Sequence, residues 1–194
     1  MMAKPHPMLQ RLETERFVLR PLGRIEAFRI GRSNWNHDPE IMRNVIYSSK
    51  PLNPWRWLRK MVWVNRKTKF SHAIMPKDGG APIGIHGMTL QKYRSATLVV
   101  AVHDRQWWGR KVVAEVRKAV IDHAFEKKVI DRLCCTVQAR NAASVFNYKK
   151  LGFKHVGTLH RAQYDPVSGE LFDMLVFELL RADWEKQRKP APHA

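Results

Sequence analysis

The sequence contains few cysteines and no apolar run long enough to cross a membrane. Its 194 residues include two cysteines, Cys134 and Cys135, which are adjacent inside an apolar stretch. Adjacent cysteines form neither a CxxC redox pair nor a zinc knuckle, so we expect buried, reduced thiols. A bilayer span needs roughly 20 apolar residues, and the N-terminus has Lys4, His6 and prolines where a signal peptide has its apolar core. We therefore expect a soluble, cytoplasmic protein.

Metal-binding patterns are also missing. The nine histidines are scattered and form no HExxH motif or Cys/His cluster, so we predict no structural metal. With 44% hydrophobic and 27% charged residues, the chain is not a disordered polyelectrolyte, and its length fits one domain. We predict a flexible N-terminus at residues 1–8, a single domain at 9–185 and a polar tail at 186–194.

Acidic residues are scarce, above all in the middle of the chain. Lys and Arg total 35 against 17 Asp and Glu, a net charge of +18. Residues 41–103 hold eleven Lys and Arg residues, with Asp78 as their only carboxylate, a net charge of +10. A single domain with this much self-repulsion is expected to have an anionic partner.

The most basic part of this region interleaves tryptophan with arginine and lysine. Residues 54–67 place apolar side chains, among them Trp55, at helical spacing, with Arg56, Arg59 and Lys60 at basic positions between them. One interpretation is a solvated helix whose tryptophans are core residues. A second interpretation, which we place first, is that the segment binds nucleic acid through phosphate contacts and base stacking. A third is that it docks on an anionic membrane.

The hydrophobic pattern predicts a mixed α/β chain. Helical material is expected from the first strand to about residue 69, and a hairpin is expected around Asp78-Gly79-Gly80. From Gly109 the spacing becomes helical, with Arg117 off the apolar face, and another helix is expected at 142–150. The predicted strands are residues 16–20, 71–76, 82–90, 96–102, 132–138, 154–159 and 171–179.

A strand, a glycine turn and a helix follow one another at residues 99–111. Free backbone N–H groups and the positive end of the helix would lie together there, where they can bind a pyrophosphate. The same arrangement occurs wherever a chain changes direction. The motif therefore indicates an anion site only if a second motif agrees with it.

Residues 141–153, Asn-Ala-Ala-Ser-Val-Phe-Asn-Tyr-Lys-Lys-Leu-Gly-Phe, are that second motif. They closely resemble the Asn-x-x-Ser…Tyr-x-Lys-Leu-Gly-Phe signature of the GNAT N-acetyltransferases, and residues 106–111 resemble the acyl-CoA loop of that family. Residues 12–22, 38–42 and 173–184 resemble the branch containing the ribosomal-protein-alanine acetyltransferases. The resemblance covers about residues 9–185 and implies an α/β (α+β) fold, a mixed, mostly antiparallel sheet with splayed central strands flanked by helices.

The resemblance also implies a binding site for acetyl-CoA or another acyl-CoA. The backbone of Val100, Ala101 and Val102 would pair with the pantetheine arm, while Asn141 would hydrogen-bond that arm, cap the following helix, or both. The pyrophosphate would be bound by Gln106, Trp107, Trp108, Gly109, Arg110 and Lys111. Lys111 stands where the family usually has Gly or Ala, so its ammonium would meet a phosphate or its bulk would weaken CoA binding.

Tyr148 matches the tyrosine that protonates the departing CoA thiolate, a task suited to a phenol with a pKa of about 10. Its structural alternative is packing against Phe153. Ser144 resembles the serine that stabilises the thiolate in the protein-acetylating branch, and both Ser144 and Tyr148 would contact CoA. Many relatives have a glutamate where this chain has Thr136. The general base therefore stays open among Glu115, His103, His86 and Asp173.

The activity implied by the resemblance is acetyl-CoA-dependent N-acetyl transfer, in which a neutral amine attacks the thioester. Because the basic middle of the chain corresponds to the region that borders the acceptor cleft in this family, we predict a polyanionic acceptor. An amino-modified nucleic acid, an aminoacyl-tRNA and a ribosomal protein N-terminus all qualify, and a weak base would favour an α-amine over a lysine amine. The predicted acceptor contacts are Trp55, Arg56, Arg59, Lys60, His86 and Asp173.

Two other functions are compatible with the sequence. The chain could acetylate a small anionic metabolite, such as an amino sugar nucleotide, whose binding would be only mildly salt-sensitive. It could also be a GNAT-derived nucleic-acid-binding module without catalysis, which Lys111 and Thr136 favour. The resemblance allows a homodimer as well.

Overall fold

The computed structural model describes residues 5–23, 38–41, 43, 53, 55 and 67–188. Eight strands form one sheet in the order β1-β2-β3-β4-β5-β6-β8-β7, antiparallel except where β5 meets β6. The strands are β1 (Leu12–Glu13), β2 (Phe17–Pro21), β3 (Lys69–Pro76), β4 (Gly84–Gln91), β5 (Ser95–Val102), β6 (Arg132–Gln138), β7 (Lys154–Tyr164) and β8 (Leu171–Leu180). The described helices are α1 (Pro39–Ile41), α2 (Val112–Glu126), α3 (Ala142–Lys150) and α4 (Arg181–Arg188). This architecture confirms the predicted α/β (α+β) fold class.

The helix α3 ends in a motif that explains the Leu-Gly-Phe at residues 151–153. Gly152 has a φ of +82°, a left-handed conformation that favours glycine. Its N–H donates to the carbonyl of Lys149, and the N–H of Phe153 donates to the carbonyl of Tyr148, which satisfies the last carbonyls of the helix. The aromatic rings of Phe153 and Tyr148 then meet edge to face, with centroids 5.0 Å apart. The ring contact is the packing on Phe153 given above as the structural alternative for Tyr148.

The core lies between the sheet and the apolar face of α2, where Val112, Val116 and Val120 are at most 2% exposed. Arg117 is buried as well, although it is expected off that apolar face. Arg117 lies three, four and seven residues before the buried Val120, Ile121 and Ala124, so it belongs to the buried face of the helix, and its predicted position off that face was wrong.

The packed part of the chain extends beyond both predicted limits of the domain. Met8 is 1% exposed in the core, and the ring of His6 stacks on Phe70, so residues 5–8 are part of the fold. At the other end α4 continues to Arg188, whose guanidinium lies 2.8 Å from Glu126. Contacts with the rest of the chain thus reach His6 and Met8 before residue 9 and Arg188 after residue 185.

Part of the positive charge of residues 41–103 is paired with carboxylates from other regions. Arg43 binds Asp165, Lys77 lies 3.5 Å from Glu13, and Arg94 binds Asp131. The most basic stretch, with the predicted acceptor residues Arg56, Arg59 and Lys60, lies outside the described residues.

The cysteines, candidate metal ligands and candidate membrane-spanning helices can be compared with the expectations from the sequence. Cys135 is buried and Cys134 half-buried, and both are free thiols. No group of His, Cys, Asp and Glu residues able to hold a metal ion occurs in the described ranges. Within the same residues, no helix is long and apolar enough to cross a membrane.

Candidate active site

A cleft opens where β5 and β6 diverge. Their parallel ladder holds Ser95 opposite Arg132 and Ala96 opposite Leu133, after which β6 continues beside β8 alone. The rest of β5 therefore has an edge whose peptide groups are available to an extended ligand. The β5 cleft has a volume of about 470 Å³. Its lining residues are Glu40, Ile41, Val100, Ala101, Val102, Trp107, Trp108, Gly109, Lys111, Val112, Val113, Asn141, Ala143, Phe146 and Asn147.

Most residues predicted to bind CoA line the β5 cleft. Two members of the 106–111 loop do not: Gln106 and Arg110. The backbone N–H of Gln106 donates to Asp104 at 3.0 Å, and the carbonyl of Arg110 accepts from Arg16 at 2.8 Å. These hydrogen bonds fix the loop between β5 and the β1–β2 turn.

Two tryptophans shape the wall of the β5 cleft. Trp107 packs edge to face on Phe17 of the core, with centroids 5.2 Å apart. The indole N–H of Trp108 donates to the carbonyl of Val102 at 2.9 Å, so one peptide group of the exposed β5 edge already has a partner. An extended ligand would therefore use the edge before Val102, or displace this indole.

The guanidinium of Arg105 is paired with two carboxylates. Its guanidinium makes two hydrogen bonds to Asp38, at 2.9 and 3.0 Å, and lies 3.4 Å from Glu40. The hydrogen bond from Arg105 lowers the pKa of Asp38, which keeps that carboxylate ionised. The same guanidinium lies 4.8 Å from the centre of the Trp108 ring. Arg105 thus joins α1 to the tryptophan wall.

Lys111 occupies the N-cap of α2 in a left-handed conformation, with a φ of 60°. Glycine has no steric penalty in that conformation, which fits the glycine that many GNAT motifs carry at this position. No side chain caps this helix end. Its first N–H groups and the positive end of the helix dipole therefore lie at the β5 cleft together with the Lys111 ammonium.

Asn141 caps α3 and lines the β5 cleft. Its side-chain oxygen accepts a hydrogen bond from the backbone N–H of Ser144 at 3.0 Å, so the predicted capping role is confirmed. Ser144 is half-buried one turn into the helix and is not part of the cleft lining.

Tyr148 lies in the core and is not part of the β5 cleft lining. Its side chain is 2% exposed, and its ring stacks on Phe177 with centroids 5.3 Å apart. Burial raises the pKa of Cys135, so the thiol stays protonated at neutral pH. The guanidinium of Arg117 lies 4.3 Å from the centre of the Tyr148 ring.

The candidate bases are not brought together. Glu115 faces the β1–β2 turn, where its carboxylate accepts from the backbone N–H of Arg16 at 3.0 Å and from the Arg16 guanidinium at 2.8 Å. Burial opposes ionisation of Glu115, but the hydrogen bonds from Thr14 and Arg16 outweigh it and lower its pKa. His103, at the end of β5, is partly buried, and burial lowers its pKa to about 3.

The described acceptor candidates are also dispersed. His86 is fully buried in β4, which leaves it no surface to contact an acceptor. Asp173, in β8, accepts hydrogen bonds from the backbone N–H of Arg161 at 2.8 Å and from His160 at 3.0 Å. Trp55 is 72% exposed.

Sequence reasoning missed several residues of the site. Glu40 lines the β5 cleft, and Ala143, Phe146 and Asn147 continue along α3 from Asn141. The α3 residues were accessible from the helical period, since Phe146 and Asn147 lie three and four positions after Ala143 and share one face of the helix with it. Glu40 had no local signal, because a long-range contact with Arg105 places it there.

Comparison with known proteins agrees with this geometry. The family model for the acetyltransferase (GNAT) domain matches residues 16–154. Among solved structures, a spermidine N-acetyltransferase from Vibrio cholerae in complex with CoA and spermine is 17% identical over 87% of this chain and 98% of its own, with a TM-score of 0.73. A ribosomal-protein-S5-alanine acetyltransferase from Vibrio fischeri is 17% identical over 93% of this chain and 100% of its own, with a TM-score of 0.72.

A third structure, RimL, the ribosomal L7/L12 α-N-protein acetyltransferase in complex with coenzyme A, is 12% identical over 88% of this chain and 98% of its own, with a TM-score of 0.75. At these identities the structural likeness shows the fold. The family model spans more than half of the sequence and shows more. The chain belongs to the GNAT family of CoA-dependent acetyltransferases.

Proposed function

We propose that this acetyltransferase moves the acetyl group of acetyl-CoA to a primary amine on a polyanionic or nucleic-acid-associated acceptor. The observation that carries the proposal is the net charge of +10 in residues 41–103, the region that borders the acceptor cleft in the family. An amino-modified nucleic acid, an aminoacyl-tRNA or a ribosomal protein N-terminus would complement that charge. A polycationic acceptor would be repelled.

The described residues fit an acyl-CoA in the β5 cleft. The β5 edge at Val100 and Ala101 offers peptide groups to the pantetheine arm, and Asn141 faces the same space. The first turn of α2 and the Lys111 ammonium would receive the pyrophosphate. Acetyl-CoA supplies the activated acetyl thioester, and backbone N–H groups of β5 polarise its carbonyl.

Tyr148 is our proposed general acid, with Ser144 as a second group near the leaving sulfur. Tyr148 belongs to α3, the helix that Asn141 caps and whose residues Ala143, Phe146 and Asn147 line the cleft. A phenol gives its proton readily to a thiolate, because its ordinary pKa of about 10 is close to that of a thiol. The burial of Tyr148 keeps water from competing for this proton.

The acceptor amine is proposed to reach the site already neutral. Glu115 is engaged by Arg16, and protonation of His103 would require a pH near its pKa of about 3. A weak base suits an α-amine with a pKa of about 7.7–8.0 better than a lysine amine near 10.4. An α-amine mounted on RNA or on a ribosomal protein meets both requirements.

A small anionic metabolite is the second candidate acceptor. The internal pairing of Arg43 with Asp165 and of Arg94 with Asp131 favours it, because these pairs weaken the positive field of residues 41–103. Such an acceptor would neutralise only one or two cationic groups.

Salt dependence separates the two candidates. Binding of a single-stranded RNA carrying a primary amine would be measured by calorimetry between 50 and 200 mM salt, conditions over which polyanion binding changes steeply. A polyanionic acceptor predicts that log K falls with log salt at about −0.7 per neutralised phosphate on a single strand. A slope near zero, with tight binding of an amino sugar nucleotide, would favour the metabolite. Absence of acetyl-CoA binding at low salt would refute the proposal.

A further inference from the structure

Among the described residues, Arg117 is a buried cation to which no anion is paired. It is 4% exposed, on α2, and its Nε and Nη1 atoms have no hydrogen-bond partner among the described residues. An unpaired charge in a protein interior costs several kcal/mol in general, so such a group needs an explanation.

The surroundings of Arg117 are neutral or cationic. His86 on β4 is fully buried, and burial, His72 and Arg117 together lower its pKa, so it is uncharged. Cys135 on β6 is a protonated thiol because burial raises its pKa. Among the described residues, no carboxylate forms an ion pair with Arg117. Within the part of the chain that the structure describes, this cluster therefore has a positive charge and no paired negative one.

The ring of Tyr148 also lies against Arg117. The Arg117 guanidinium lies 4.3 Å from the centre of that ring, which is itself 2% exposed. A cation at this range favours the ionised form of a nearby acid, and the effect grows where water is excluded. Tyr148 is the group on which a negative charge would be stabilised.

We propose that Arg117 is a positioning residue that stabilises Tyr148 as a phenolate during acetyl transfer. This inference rests on the proposed role of Tyr148 as general acid. When the amine nitrogen bonds to the acetyl carbon and the carbon–sulfur bond breaks, Tyr148 gives its phenolic proton to the sulfur. The phenolate, held by the Arg117 charge, then takes back the proton that the new amide nitrogen loses. Products are the N-acetyl amine and the free thiol, with Tyr148 regenerated.

A titration tests this coupling without any acceptor. In the wild-type background, the tyrosinate absorbance of Tyr148 is the wild-type spectrum minus the Tyr148→Phe spectrum. In the variant background, it is the Arg117→Met spectrum minus the spectrum of the Arg117→Met/Tyr148→Phe double variant. We expect the midpoint in Arg117→Met to lie about 1 pH unit or more above the wild-type midpoint. Arg117→Lys should restore most of the difference, and Lys118→Met, which removes an exposed charge from the same helix, should leave the midpoint unchanged. Equal midpoints in wild type and Arg117→Met would overturn the proposal.

Kinetics provide the second readout. Arg117→Met should lower kcat about 10- to 100-fold, with the KM for acetyl-CoA nearly unchanged, because the charge acts on the general acid. Its melting temperature should equal or exceed that of the wild type, because a buried unpaired charge is removed. Should Arg117→Met fail to fold, Arg117→Gln replaces it in both measurements, with the same expected direction.

The two proposals fail in different ways. If the wild type acetylates no amine, the proposed function falls, while the shifted midpoint in Arg117→Met still reports the Arg117–Tyr148 coupling. If the wild type is active and Arg117→Met retains both its midpoint and its kcat, the role of Arg117 is refuted and the proposed function stands.

Discussion

Lys111 shows how one backbone conformation shapes the β5 cleft. A left-handed φ of 60° at a non-glycine residue is strained, by about 1–2 kcal/mol. The strain leaves a lysine ammonium beside the first turn of α2, where the helix dipole already favours an anion. A position that carries Gly or Ala in the family motif thus carries a positive charge here.

Lys111→Gly and Lys111→Met separate the backbone effect of this residue from its charge. The glycine variant should gain roughly 0.5 kcal/mol of stability, since relief of the left-handed strain exceeds the entropy that glycine adds to the unfolded chain. The methionine variant keeps the strain and should show no gain. Both should weaken CoA binding by roughly two- to five-fold in calorimetry, since an exposed charge pair contributes modestly.

Lys118→Met is the control for this comparison, because its exposed ammonium pairs with Asp122 away from the β5 cleft. Unchanged CoA affinity in Lys111→Met would show that the ammonium does not meet a phosphate.

Glu115 and His103 should not control the pH dependence of the reaction. Glu115 is occupied by Arg16, and burial lowers the pKa of His103 to about 3, so neither accepts a proton effectively near neutral pH. We expect the rising limb of kcat/KM against pH to follow the pKa of the acceptor amine and to persist in Glu115→Gln and His103→Ala. Loss of an ionisation in either variant would identify an enzyme base and refute direct attack by a neutral amine.

At the scale of elements, the β5 cleft depends on how closely β4 and β5 approach. Gly84 of β4 pairs with Val102 of β5, and a Cβ added at Gly84 would lie 2.6 Å from the backbone oxygen of Ala101. That distance is too short for any side chain, so the strands must move apart. The glycine thus sets the position of the β5 edge that lines the cleft.

Gly84→Ala should therefore destabilise the protein by about 1–3 kcal/mol and weaken CoA binding as well, because the shift falls on Ala101. Gly157→Ala is the matched control: it lies in β7, and an added Cβ there would meet no atom within 4 Å. Denaturant unfolding and calorimetry measure both effects. If the two alanine variants behave alike, β4 and β5 can separate without cost and the strand spacing does not set the cleft.

The sequence predicted elements well where a local pattern encodes them. The predicted strand at 132–138 and the predicted helix at 142–150 have the same bounds as β6 and α3 in the structure. The capping asparagine at position 141 marks the start of that helix. The extension of β7 to Tyr164 was missed, because a register shift between Leu159 and Gln163 breaks the alternation. A bulge of this kind is set by pairing with β8 and has no signal in β7 alone.

Most of the cleft lining could be predicted because it lies in two contiguous sequence motifs, residues 100–111 and 141–148. Glu40 could not be predicted, because a partner distant in sequence, Arg105, places it there. The burial of Arg117 was missed although its spacing from Val120, Ile121 and Ala124 puts it on the buried face of α2. Burial of a cation contradicts the composition rules that single-sequence reasoning uses.

At the scale of the whole molecule, the core contains histidines that stay neutral in the folded protein at pH values where they are protonated in the unfolded chain. Burial lowers the pKa of His72 to about 4 and lowers that of His86 well below its ordinary value. The unfolded chain binds these protons at pH 6.5 and below, while the folded chain does not. The free energy of unfolding must therefore decrease as the pH falls from about 6.5 towards 4.

His72→Leu should flatten this decline, by an amount on the order of 3 kcal/mol between pH 7 and pH 4. Urea unfolding at a series of pH values measures it. Ile74→Val is the control, because it perturbs the same face of β3 and should lower stability equally at every pH. A His72→Leu profile parallel to that of the wild type would show that His72 takes up its proton in the folded state.

The distribution of charge is the other whole-molecule property, and it bears on the acceptor. The most direct test of the central claim is mass spectrometry of acetyl groups after incubation of the protein with isotope-labelled acetyl-CoA. Cellular RNA, DNA, ribosomes and spermidine would be supplied together at low salt. We predict label on primary amines of the RNA, DNA or ribosomal fraction, decreasing steeply when salt is raised. Label confined to spermidine, a polycation, would contradict the proposed acceptor class.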